Sequence, residues 1–266
     1  MPDGQKRHHP PLLAIASGKG GTGKSTVAVN LAFALSARGL AVGLVDLDLT
    51  GPDVPRLLNL RRTVTARHLD LWRLAPEPLR PARIMGLSVL SVGFFLTEDQ
   101  ALMMPGTLPE LLVERFLYAT WSGADLLVAD LPPGTGGVVA SVLRDTETLG
   151  LILVVTPDDL SHLDARKVIT AAANCGTPVL GAVENFSGLL CPHCGATVPL
   201  LSTVRPKRSL WSEGIERLVS LTAHPGYAAA ADLGHPVVAA NPDGPLAKPF
   251  GSLADYILQA MGHHLA

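Results

Sequence analysis

Residues 18–26 read Gly-Lys-Gly-Gly-Thr-Gly-Lys-Ser-Thr, and Gly18 to Ser25 satisfies the spacing GxxxxGK[ST]. That spacing has a direct chemical use. Glycines at Gly18, Gly20, Gly21 and Gly23 let backbone N–H groups, that of Thr22 among them, turn inward toward anionic oxygens with no Cβ in the way. A helix starting near Gly23 adds the partial positive charge of its N-terminus. On this reading Lys24 reaches the β and γ phosphates of ATP, the Ser25 hydroxyl ligates Mg2+, and Thr26 meets the α phosphate. Lys19 is a second lysine, at the start of the loop, that a simple phosphate loop does not need.

Hydrolysis of a phosphoanhydride also needs carboxylates, for the metal shell and to orient the attacking water. Asp130 ends the apolar run LLVAD and precedes LPPGTG, so it stands at the C-terminal end of a strand, where open α/β sheets bind ligands. It is assigned to hold a magnesium-bound water. Asp46 and Asp48 follow another apolar run in LVDLDLTGPDVP, and alternation places both side chains on one side of an extended segment. Turn capping is the alternative role for either of them.

The cysteines carry a different chemistry. Cys191 and Cys194 form a CxxC pair, while Cys175 stands alone near a helix end and reads as a small buried apolar residue. Two thiolates at this spacing hold one edge of a metal site, yet a four-coordinate site needs four ligands. A twofold dimer with one pair from each subunit completes it. His193 is a spacer, since adjacent side chains diverge. By spacing alone the pair fits a shared zinc, a shared iron–sulfur cluster or a redox disulfide.

The elements that must position these residues are legible as short apolar runs alternating with helical patterns. Strands are expected at Leu12–Ala16, Ala41–Asp46, Leu87–Val92, Leu126–Asp130, Leu151–Thr156 and Val179–Glu184. Helices are expected from Gly23 onward, over Glu110–Ala119, Leu160–Ala173 and Ser252–Met261. The fold class is therefore α/β: a mostly parallel twisted sheet covered by helices on both faces. Residues 1–11 read as a flexible tail, 12–266 as a single domain, and 196–225 as an irregular surface excursion rich in Pro, Ser and Thr. Segment 56–83 holds seven arginines but few aromatic stacking partners, so it reads as a solvated face, not a nucleic-acid patch.

Bulk properties agree. The 266 residues are 47 % apolar and 17 % charged, with a net charge of −2, which gives no general attraction to nucleic acid or to anionic membrane. No apolar run approaches the roughly eighteen residues of a membrane span. Three cysteines make no disulfide framework and point to a reducing, cytoplasmic setting.

The early lysine in KGGTGKS resembles the deviant Walker A group, which includes MinD, ParA, the nitrogenase iron protein and the Mrp/ApbC proteins. Farther along, DLDLTGPDVPRLLNL, DLPPGTG, VVTPDDLSHLDARK, GAVENFSG and CPHC occur in the order found in the Mrp/ApbC iron–sulfur cluster carriers. The resemblance covers about residues 12–195 and resumes weakly near HPVVAANPDGPLAKPF. It implies a P-loop NTPase fold and a slow, homodimeric ATPase in which Lys19 reaches phosphates bound by the partner subunit. It further implies that Asp48 activates water, Asp46 joins the magnesium shell and Asn185 reads adenine. Cys191 and Cys194 then hold a [4Fe–4S] cluster shared across the dimer, with zinc as a replacement occupant. Iron–sulfur scaffold proteins and apo-protein recipients are the implied partners, and neither nucleic acid nor membrane is expected. A ParA/MinD-type positioning ATPase and a nucleotide-binding scaffold with a zinc-bound pair are the alternatives. The chain departs from the family at Gly137, where PPGTG is usually followed by aspartate, and at MMPGTLPELL, where an RGP motif is common.

Overall fold

Strand β1 (Leu12–Ala16) shows how the sheet is built. All five of its residues are buried, and they alternate between two cores. Leu13 and Ile15 pack with helix α1 (Lys24–Ser36), while Leu12, Ala14 and Ala16 enter the cluster on the opposite face. The two-residue period of a strand does this, and a strand covered on both faces reads as a continuous apolar run. In the computed structural model, which describes residues 8–60, 78–96, 106–145, 147–191, 193, 194 and 196–264, the chain then forms β2 (Val42–Asp46) and α2 (Val54–Leu57). Next come β3 (Ala82–Ile84), β4 (Leu87–Ser91), α3 (Leu108–Leu117), β5 (Leu126–Asp130) and α4 (Gly137–Leu143). They are followed by β6 (Thr148–Val155), α5 (Asp159–Cys175), β7 (Val179–Leu190) and β8 (Thr197–Val198). The chain closes with β9 (Arg217–Ala223), α6 (Pro225–Leu233), α7 (Val237–Ala240) and α8 (Lys248–His264).

The sheet runs in the order β3-β4-β2-β5-β1-β6-β7-β8, and β9 also pairs with β7. Every pairing is parallel except β3 with β4 and β7 with β8. Helices α1, α7 and α8 cover one face, and α3, α4 and α5 cover the other. Strand β1 lies in the middle, so the loop at its C-terminal end opens into the crevice where such sheets bind ligands.

Parity within the strands assigns the polar residues as well as the apolar ones. In β2, Val42 and Leu44 belong to the α1 face; in β5, Leu126 and Val128 do; in β7, Val183 does. Two residues on from these, Asp46, Asp130 and Asn185 therefore project toward the start of α1. Register holds Asp46 directly beside Asp130.

Two expectations need correction. Segment 196–225 is not irregular throughout: Arg217–Ala223 is a strand of the sheet, in parallel register with β7. Its outward Arg217 and Ser220 break the apolar run because it lies at the margin of the sheet, where only Leu221 is fully covered. Strand β7 extends six residues past the expected end at Glu184, carrying the backbone out to Leu190. Of the arginine-rich segment, residues 61–77 lie outside the described residues, as do 103–105 of MMPGTLPELL. Among the described residues no helix is long and apolar enough to cross a membrane.

Candidate functional site

The phosphate loop joins β1 to α1, and its backbone already has the form that an anion needs. Gly21 and Gly23 take positive φ values of 77° and 85°, and no side chain caps the first turn of α1. The N–H groups of that turn are therefore free to meet phosphate oxygens. A Cβ on Gly18 would lie 2.2 Å from the backbone of Asp164 in α5, so only glycine lets the loop pass. A cleft of about 420 Å³ runs from the loop past Asp48 and Pro133 to Asp53, Arg56, Phe186, Ala228, Ala231 and Asp232.

Within the cleft Lys24 is almost fully buried and its Nζ lies 2.6 Å from Asp130 Oδ1, 3.4 Å from Ser25 Oγ and 3.9 Å from Asp48 Oδ2. Asp130 has no exposed surface, and its Oδ2 is buried without a hydrogen-bond partner among the described residues. Burial pushes the Asp130 carboxyl upward, opposed by the Lys24 ammonium and the Ser25 hydroxyl. An orphaned carboxylate oxygen beside a serine hydroxyl suits a Mg2+ ion with its water shell. Ser25 and Asp130 would hold it.

Asp46 lies beside Asp130 in the sheet. It is completely buried, and its Oδ2 accepts from Ser91 Oγ at 2.8 Å and from the Val54 N–H at 3.4 Å. Its Oδ1 accepts from the Asp48 N–H at 3.1 Å. Burial, then the neighbouring Asp130 carboxylate, pushes Asp46 well above the usual carboxylate range. With both oxygens engaged by protein donors, Asp46 braces the Asp48 turn and the start of α2. Asp48 is the carboxylate that faces the cleft. Its Oδ1 accepts from Thr50 Oγ1 and the Gly51 N–H, each at 3.1 Å, which leaves Oδ2 toward Lys24.

Lys19 points away from the cleft. Its Nζ donates to both oxygens of Asp158, at 3.1 and 3.0 Å. Asp158 caps α5, accepting from the Ser161 N–H at 3.0 Å and from Thr156 Oγ1. Burial opposes its ionisation, yet the Thr156 and Ser161 hydrogen bonds and the Lys19 charge together draw its pKa below the ordinary value. Asp158 was not singled out from the sequence, although an aspartate three residues before Ser161 at the head of a helical pattern is a capping signal.

Asn185 is 7 % exposed, and both ends of its carboxamide are occupied: Nδ2 donates to the Thr22 carbonyl at 2.8 Å and Oδ1 accepts the Phe186 N–H at 2.9 Å.

The cysteine pair sits at the tip of the hairpin formed by β7 and β8, closed by Cys191 N–H donating to Ala196 O at 2.8 Å. Cys194 is exposed and Cys191 half-buried. The N–H groups of Cys194 and His193, then the Cys194 thiol, direct hydrogen bonds at Cys191 Sγ and draw its pKa below the usual thiol value. That favours the metal-binding thiolate. Among the described residues no cluster of three His, Cys, Asp or Glu ligands forms. Leu190, Val198, Leu200 and Leu201, all exposed, surround the hairpin, and a second cavity of about 460 Å³ lies between Leu200, Leu201 and the Lys19–Asp158 pair.

The description of the NUBPL iron-transfer P-loop NTPases, within the ParA group, matches residues 10–258. The iron-sulfur cluster carrier protein of Aquifex aeolicus is 36 % identical over 94 % of this chain and 68 % of its own length. The corresponding Escherichia coli protein is 34 % identical over 92 % of this chain and 65 % of its own length, so the chain spans about two thirds of these bacterial relatives. The iron-sulfur cluster transfer protein NUBPL of Dictyostelium discoideum is 32 % identical over 94 % of this chain and 76 % of its own. Among solved structures, a nucleotide-binding protein of Archaeoglobus fulgidus in complex with ADP aligns with a TM-score of 0.67 at 31 % identity, over 88 % of each chain. The cell division ATPase MinD of Pyrococcus furiosus shares the fold, with a TM-score of 0.69 at 22 % identity over 93 % of this chain and 98 % of its own. The chain belongs to the iron-transfer P-loop NTPases of the NUBPL type.

Proposed function

We propose that this protein is a slow, ATP-dependent carrier whose cargo is a [4Fe–4S] cluster, held between two copies of the chain and passed to apo-proteins. The observation that carries the reading is the Cys191–Cys194 pair: Cys194 is exposed, the half-buried Cys191 is biased toward thiolate, and among the described residues no cluster of three ligands forms. A second copy related by a twofold axis supplies the missing two thiolates.

The nucleotide side follows from the same dimer. Ser25 and, through a water, Asp130 would hold Mg2+, which when bound would supply positive charge to the phosphates. Lys24, which faces Asp130 in the free chain, turns to the phosphates, and Asp48 orients the attacking water. Lys19 exchanges the Asp158 carboxylate for phosphate oxygens on the other copy. Since Asp158 caps α5 and lines the cavity beneath Leu200 and Leu201, that exchange alters the surroundings of the segment following the cysteine hairpin. Scaffold proteins that load the cluster and recipients that take it are the partners this reading asks for.

Anaerobic reconstitution with iron and sulfide tests the reading. One cluster per two chains, lost in Cys191→Ser, is expected. Uptake of zinc alone, or a full cluster retained by Cys191→Ser, contradicts it.

A further inference from the structure

Gly137 is the first residue of α4, and the place a side chain would take there is already filled. A Cβ on it would lie 1.9 Å from Oε1 and 3.0 Å from Cδ of Glu110, which comes from α3. The backbone does not ask for glycine, since Gly137 lies outside the left-handed region. What asks for it is the Glu110 carboxylate, resting on the start of α4. Its Oε2 is buried with no hydrogen-bond partner among the described residues, a placement that hydrogen bonding within the fold does not explain. Gly136, which precedes the helix, has no capping side chain, so the first turn of α4 presents its N–H groups and their partial positive charge. Glu110 belongs to MMPGTLPELL, so the two places where the sequence departs from its family meet in the fold.

We infer that Glu110 is a positioning residue for ATP hydrolysis, supplying from α3 the carboxylate that holds the start of α4. The link to the nucleotide site is short. Asp130 ends β5, and residues 131–136 carry the chain from it to Gly137. Near one end of this loop the Leu131 N–H donates to Ile15 O at 3.0 Å. Farther along, the Gly134 N–H donates to Ser17 O at 2.8 Å, and Pro133 lines the nucleotide cleft. Glu110 sits at the other end. Its negative charge steadies the first turn of α4, and with it the loop wall that leads back to Asp130. A Cβ at 137 would meet only the tip of a flexible side chain, so it expels the carboxylate and leaves the fold in place. Gly137→Ala is therefore equivalent to taking the Glu110 charge away.

The inference rests on reading Asp130 and the phosphate loop as the hydrolytic site, and Lys24→Ala checks that reading separately. Phosphate release that survives Lys24→Ala overturns the reading and this inference with it. Steady-state hydrolysis and thermal unfolding are measured on the full chain as wild type, Glu110→Ala, Gly137→Ala, the double alanine variant and Glu110→Ala/Gly137→Asp. Each single variant is expected to keep a cooperative unfolding transition and an ATP KM within about twofold, while kcat falls about fivefold. The double alanine variant should be no worse than either single one, because both substitutions remove the same carboxylate. Glu110→Ala/Gly137→Asp returns a carboxylate to that place and should recover kcat to within about twofold of wild type. Losses that multiply in the double alanine variant, or no recovery with aspartate, overturn the proposal. Unchanged kcat in Glu110→Ala, or a raised KM at unchanged kcat, overturns it as well. Loss of the unfolding transition in both single variants overturns it too, placing Glu110 in folding.

Discussion

The phosphate cradle and the cysteine hairpin are built in opposite ways, though strand β7 contacts one and leads into the other. In the cradle Lys24, Asp46 and Asp130 are buried; both carboxylate oxygens of Asp46, and both the oxygen and the nitrogen of the Asn185 amide, are hydrogen-bonded to neighbours. At the hairpin Cys194 is exposed and Cys191 half-buried, the neighbouring leucines are exposed, and β8 is only two residues long. A site that stabilises a transition state gains from groups fixed in advance. A site that gives up its cargo must let another protein's ligands approach. Leu190, where the hairpin begins, is five positions along β7 from Asn185, so the buried site and the open one are adjacent on one strand.

If the two regions are separable in chemistry, each can be disabled alone. Lys24→Ala is expected to lower ATP hydrolysis by at least about a hundredfold while cluster uptake persists, since the lysine acts on transition-state charge. Cys191→Ser is expected to abolish cluster binding and to leave ATP affinity within about twofold, as distant sites are nearly additive. Phosphate release and iron content measured on both variants decide the matter; loss of both properties in either variant breaks the comparison.

Inside the cradle, Asp48→Asn is expected to slow hydrolysis by about a hundredfold with little change in ATP affinity, because it orients water and does not grip phosphate. Single-turnover kinetics with a binding titration separates the two effects. A large loss of affinity instead would place Asp48 on the metal.

A smaller effect is expected where the two regions meet. Asp158→Asn keeps a good helix cap for α5 but removes the charge that holds Lys19. The partly buried pair contributes on the order of 1 kcal/mol, so ATP-driven dimerisation is expected at about fivefold lower protein concentration. Sedimentation across a concentration series reads this, and weaker dimerisation contradicts it.

The smallest effect lies away from both regions and serves as a control. His9 donates to Pro10 O at 2.7 Å and to Asp145 at 3.1 Å. Burial works against its charge, but the Asp145 hydrogen bond and the Pro10 carbonyl outweigh burial and raise its pKa; Asp145, although burial opposes it, is lowered chiefly by the His9 hydrogen bond. A raised histidine contributes stability fully below its unfolded value and loses it as pH rises through the folded value. The lowered Asp145 contributes above its own unfolded value and loses this as pH falls through its folded value. His9→Gln is therefore expected to cost about 1 kcal/mol near pH 6, with the difference fading toward pH 9, by thermal unfolding. Hydrolysis should not change.

Much of the cradle was legible in the sequence because its parts are local. The loop from Gly18 to Thr26 is contiguous, and Asp130 announces itself by ending an apolar run. Contacts that depend on register or on distant pairing were not legible. The Lys19–Asp158 ion pair joins residues 139 positions apart. Asn185 reaches Thr22 only because β7 lies on the far side of β6 with the right parity and Phe186 turns left-handed. Asp46 looked equivalent to Asp48, since alternation puts both on one side; the Ser91 hydroxyl on β4, which the spacing of two aspartates cannot reveal, separates their roles. Strand β9 was missed because a marginal strand carrying Arg217 and Ser220 lacks the apolar continuity of the buried ones.

The central claim is that nucleotide and cargo belong to one dimer. It is tested most directly by native mass spectrometry of anaerobically reconstituted protein, with and without Mg-ATP. The account predicts a two-chain species carrying one [4Fe–4S] cluster, absent in Cys191→Ser and Cys194→Ser. A cluster carried by a single chain, or a dimer whose sole metal is zinc, would contradict it.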